Sequence, residues 1–173
     1  DDVESRGLGD VYKRQKIKNH PRYPYHLLRE EMQEFILDKL QLLIERKLIK
    51  GIGENGTEYT VIAQILDLPK EILRLIQKFD FTKKNPKLIY INTGETMISL
   101  QDSILVTFLN LAGFDILFFV PTGYQSVENY FAEKLMEEHQ IGEYKYDMQV
   151  PDLNNISTNS TRPSWRRKLF RRG

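Results

Sequence analysis

The stretch KLIYINTGETMISLQDSILVTFLNLAGFDILFFVPTGYQ, Lys87 to Gln125, decides the fold. Leu88, Ile89, Tyr90 and Ile91 form a continuous apolar run, and "DILFFV", Asp115 to Val120, repeats the pattern. Unbroken runs of β-formers suit strands covered on both faces, the usual condition of parallel α/β sheets. Between the runs, Ser99-Leu-Gln-Asp102 has the form of a capping box with Asp in place of the usual Glu. It opens a helix carrying Leu100, Ile104, Leu105, Phe108, Leu109 and Leu111, which stops at Gly113. A strand, a helix and a second strand of these lengths predict a βαβ unit with parallel strands and a right-handed crossover.

In such a unit the loops leaving both strands emerge at one carboxyl edge, where open α/β sheets bind their ligands. Asn92-Thr93-Gly94-Glu95 and Pro121-Thr122-Gly123-Tyr124-Gln125 therefore face one another if the strands are neighbours. Glycine lets a backbone approach a ligand closely. Each loop leads into a helix, the first capped by Ser99, and free N–H groups at helix starts favour phosphate or carboxylate. The candidate ligand-binding set is Asn92, Thr93, Gly94, Glu95, Ser99, Thr122, Gly123, Tyr124 and Gln125. Glu95 suits proton transfer, metal contact or ribose binding, and Tyr124 suits stacking on a base or sugar. Thr-Gly after a strand is also ordinary turn chemistry. No phosphate-loop or dinucleotide fingerprint accompanies it, so the loops name no cofactor and no catalytic residue.

Outward from this stretch, Leu28, Met32, Phe35, Ile36, Leu40, Leu43, Ile44 and Leu48 recur at helical spacing and predict a long amphipathic helix over 25–49, ended by the glycines of "GIGENG". Two shorter helices are expected near 58–66 and 69–79, parted by Asp67-Leu68-Pro69. Beyond the second loop, Ser126 is placed to cap a helix over 127–139, and Tyr144 to Val150 reads as another strand. The fold class is α/β: a helical region (16–85), a Rossmann-like βαβ parallel-sheet segment (86–150) and a disordered basic tail (151–173). "SRGLGDVYKRQ", Ser5 to Gln15, resembles a translated sequencing adaptor, so residues 1–15 are set aside as an artefact or disordered leader, and the chain reads as a C-terminal fragment.

Composition excludes several chemistries. The chain has no Cys, so disulfides, thiol nucleophiles and Cys-ligated zinc are ruled out. His20, His26 and His139 lack metal-ligand spacing, so no metal-ligand set is assigned and a metal requirement stays open. No nucleophile and base pair is visible, and whether the chain is an enzyme stays open. The apolar run from Ile104 to Val120 is broken by Asn110, Gly113 and Asp115, and a membrane span needs about 20 apolar residues.

Charge is uneven. From Pro151 onward six basic residues meet one acid, a net +5, so a total of +1 leaves −4 on the remainder. The tail, with Trp165, Leu169 and Phe170 among its arginines, suits anionic lipid or an acidic partner, or serves as a solubilising tail. An adaptor that docks partners or membrane through the long helix and tail is thus a second reading. A third is a helix-turn-helix DNA binder at Thr60–Phe79, presenting Lys70, Glu71, Arg74, Gln77 and Lys78. The acid on that face and the acidic body weigh against nucleic acid, which requires a basic surface.

Over "FDFTKKNPKLIYINTGETMISLQDSILVTFLNLAGFDILFFVPTGYQSVENYF" and "EEHQIGEYKYDMQVPDL" the chain resembles the C-terminal part of the bacterial YceG-like family, distinct from the lytic transglycosylase that shares the label. That resemblance implies a cytoplasmic component of tellurite and toxic-anion resistance operons, part of a biosynthetic module with protein partners from the same operon. It carries no assigned catalytic residues. It favours a nucleotide or sugar-phosphate role for the two loops.

Overall fold

A computed structural model describes residues 14–78, 85–94, 98–124 and 128–152. After a helical turn at 14–18 come α1 (Glu30–Glu45), α2 (Thr57–Ile65), α3 (Lys70–Lys78), β1 (Lys87–Ile91), α4 (Leu100–Leu111) and β2 (Asp115–Phe119). The protein is mixed α/β, with a two-stranded parallel sheet.

α1 buries Met32, Gln33, Ile36, Leu37, Leu40 and Leu43, while Glu30 and Glu31 complement the helix dipole in its first turn. Lys18 bridges Glu30 and Glu34 on the outer face, and Arg14 pairs with Asp38. The helix is shorter than the 25–49 its apolar spacing predicts. At its start Tyr25 is buried in a turn, where its hydroxyl donates to Ile65 O at 2.6 Å and accepts from Leu68 N at 3.0 Å, tying the start of α1 to the α2–α3 turn. At its end the stop is Lys47, at φ 49°, four residues before the glycines. Lys47 N donates to Ile44 O and Leu48 N to Leu43 O, the paired bonds of a left-handed C-terminal cap built on lysine.

α4 is the central element and packs against α1, α2 and β2. It buries Ile104, Val106, Phe108 and Leu109, and its buried hydroxyls are satisfied one turn back: Ser103 donates to Ser99 O at 2.9 Å and Thr107 to Ser103 O at 2.8 Å. Gly113, at φ 99°, closes it with the same pair of bonds that close α1, Gly113 N to Asn110 O and Phe114 N to Leu109 O.

β1 and β2 run in register from Lys87 opposite Asp115 to Ile91 opposite Phe119. Leu88, Tyr90, Ile116 and Phe118 turn toward the core. The opposite face is exposed, with Ile89 59%, Ile91 36%, Leu117 54% and Phe119 42% accessible. Coverage of both faces, expected from the apolar runs, is thus realised on one side only among the described residues.

Two further expectations are corrected. Residues 128–139 are not helical. Phe131 forms an antiparallel bridge with Ile49, Lys50 N donates to Tyr130 O, and Ala132 N donates to Leu48 O, so backbone groups that a helix needs are committed across the molecule. Residues 144–150 form no strand. Asp147 sits at φ 57°, which breaks an extended run, and Tyr144, Tyr146, Met148 and Val150 are all exposed.

Candidate functional site at the carboxyl edge of the sheet

Parallel pairing delivers both loops to one edge. The ladder runs one bond past β1, from Asn92 N to Phe119 O at 2.9 Å. Asn92 is buried, and its side-chain oxygen accepts from Gly94 N at 3.2 Å, folding the first loop into an Asx turn. On the other strand Thr122 is buried and its hydroxyl accepts from Tyr124 N at 3.3 Å, the hydroxyl version of the same turn. Gly123 N donates to Val120 O at 3.0 Å. Asn92, Thr93 and Gly94 are thereby brought together with Thr122, Gly123 and Tyr124, and the Tyr124 ring is exposed to solvent. Glu95 and Gln125 lie outside the described residues, as does Ser126.

Ser99 stands where the capping box places it. Its hydroxyl accepts from Asp102 N at 3.0 Å and donates to the Asp102 carboxylate at 2.7 Å. The Tyr90 hydroxyl, reaching from β1, is 3.4 Å from the same carboxylate. Burial, and then the Asp102 charge, hold the Tyr90 phenol above its ordinary pKa. The start of α4 therefore already carries a negative group of its own. The expected second helix start is missing, because residues 128–139 are not helical.

Sequence reasoning missed Tyr144. Gly123 lies at φ 68°, and a Cβ built on it would come within 2.2 Å of the Tyr144 ring. Lys145 N donates to Pro121 O at 2.8 Å beside it, so the ring lies directly on the second loop. Glycine is required at 123 on both counts, conformation and space. No local pattern announces such a contact. Asp102, by contrast, was legible as the last residue of the capping box.

Away from this edge, an open concavity of about 500 Å³ is lined by the consecutive residues Lys134 to His139, where His139 Nε2 lies 3.6 Å from the Glu137 carboxylate. Among the described residues no three His, Asp or Glu side chains gather as a metal site. No described helix is long and apolar enough to cross a membrane.

Residues 4–161 match the YceG domain family. The chain belongs to that family. It is 31% identical over 93 residues to the uncharacterized protein YceG of Bacillus subtilis (strain 168), an overlap covering 52% of this chain and 17% of the relative. The matched segment thus spans about a sixth of that YceG protein's length. No solved structure matches the chain.

Proposed function

We propose that this YceG-family segment is a Rossmann-like α/β unit of a cytoplasmic protein in a tellurite and toxic-anion resistance system, and that it binds a nucleotide or sugar-phosphate at the carboxyl edge of its sheet. The observation that carries the reading is the in-register parallel pair, which sets two backbone-rich turns side by side at the edge where open α/β sheets take ligands. Asn92 and Thr122 spend their side chains on holding the turns, leaving Thr93, Gly94 and Tyr124 to meet a ligand. Asp102 at the start of α4 favours a neutral or hydroxyl-bearing group there, and because Gly94 N, Gly123 N and Tyr124 N are bonded within the turns, the polar contacts to a ligand fall to the side chains of Thr93 and Tyr124.

The alternatives have weaker support. The apolar stripe of the long helix, on which an adaptor reading depends, is buried in the core. The basic tail lies outside the described residues. α3 exposes Lys70, Glu71, Arg74, Gln77 and Lys78, a face of mixed sign rather than a phosphate-binding one.

The test is a thermal-shift panel of nucleotides and sugar phosphates on the full chain. A ligand at a hundredfold excess over its Kd stabilises by about 2.7 kcal/mol, which raises Tm by several degrees. Tyr124→Ala and Glu95→Gln should each abolish that shift while leaving the unliganded Tm within about a degree. A panel with no response, or a response that both variants retain, removes the reading.

A further inference from the structure

One face of the sheet is apolar yet exposed among the described residues. Ile89 lies opposite Leu117 and Ile91 opposite Phe119, so four large apolar side chains in adjacent register make one contiguous exposed patch. At the amino end the patch is closed by the Lys87–Asp115 ion pair, both partners well exposed. A scattered surface leucine needs no account, but a continuous apolar patch on a parallel sheet does. Parallel sheets occur almost only with both faces covered by helices, and a two-stranded sheet is not stable by itself.

Geometry and size select the cover. Two strands about 4.8 Å apart present a face about 10 Å wide, which is the diameter of one helix with its side chains. A second copy of this sheet, packed face to face, would contribute four apolar side chains from each partner, well short of the roughly 800 Å² per partner typical of a stable interface. About five-sixths of the Bacillus subtilis relative lies outside the matched segment. We propose that this face is an internal interface of the longer YceG-family polypeptides, covered by the apolar stripe of an amphipathic helix from the part of the chain outside this segment, with a polar residue of that helix meeting Lys87 and Asp115.

The absence of native cysteine makes the test direct. Leu117→Cys or, should that variant fold poorly, Ile89→Cys gives this chain a single thiol on the patch, and Leu27→Cys, at a residue 87% exposed, is the control. Maleimide should label patch and control at comparable rates in this chain. At the position aligned with Leu117 in the intact Bacillus subtilis protein, with other thiols removed, native labelling should be at least tenfold slower than after denaturation in urea. Equal labelling of the intact relative before and after denaturation would overturn the proposal. So would protection already present in this chain: if it grows with protein concentration a second copy is the cover, and if it does not, the cover is another part of this chain.

Discussion

The helical half of the molecule and its two-stranded sheet are written in similarly apolar sequence, yet they are buried in opposite ways. Ile36, Leu43, Ile65, Phe108 and Leu109 are sealed among α1, α2 and α4. In the sheet, alternate residues are half-buried against the core and the others stand open to solvent. The lesson is that apolar content reports what a segment must eventually touch, while burial reports what this piece of chain can supply. The helices find their partners within this segment, whereas one face of the sheet finds none among the described residues.

The sharpest way to probe that contrast is to truncate one aromatic on each side. Phe108, fully buried at the centre of α4, should cost about 3–5 kcal/mol when changed to alanine. Phe119, on the open face, should cost under about 1 kcal/mol by the same measurement, urea unfolding followed by circular dichroism. Comparable losses would mean that the open face is already covered in solution.

A smaller effect tests how the helical half is tied together. Tyr25→Phe leaves Ile65 O and Leu68 N without their buried partner and should destabilise by about 1–3 kcal/mol. Tyr23, whose buried hydroxyl has no hydrogen-bond partner among the described residues, should tolerate the same change at almost no cost. Burial pushes the Tyr25 phenol up to about 12. The folded chain therefore keeps a proton that an unfolded tyrosine loses near pH 10. The stability linked to it is complete below about pH 10 and is lost as pH rises through about 12, by up to about 1.4 kcal/mol per unit. Alkaline denaturation of Tyr25→Phe should lack that component.

The smallest expected change is a gain. Lys47 occupies the left-handed position that Gly113 occupies at the end of α4. Lys47→Gly should raise stability by up to about 1 kcal/mol, read as a Tm increase of a few degrees, because it relieves the Cβ strain at that position.

These elements also show what could be read in advance. β1, α4 and β2 were legible almost to the residue, because Ser99, Asp102 and Gly113 are local signals whose meaning does not depend on the rest of the fold. The joint placement of Asn92, Thr93, Gly94, Thr122, Gly123 and Tyr124 followed from the parallel unit alone. The end of α1 was not legible: a lysine in the left-handed region has no signature, and the helical apolar spacing continues past it to Leu48. Nor was the backbone of residues 129–132, whose helical apolar spacing yields to hydrogen bonds with Leu48 and Lys50, far away in sequence. An apolar run, finally, does not say whether its second neighbour lies on the same stretch of chain.

The contact between Gly123 and Tyr144 reaches beyond this one molecule. Because a side chain at 123 and the ring at 144 compete for one volume, the two positions cannot vary independently. Across YceG-family sequences glycine should persist at 123, because its positive φ requires it, and an aromatic at 144 should occur only beside that glycine. Such a signature would let the covered loop be recognised in relatives from their sequences alone.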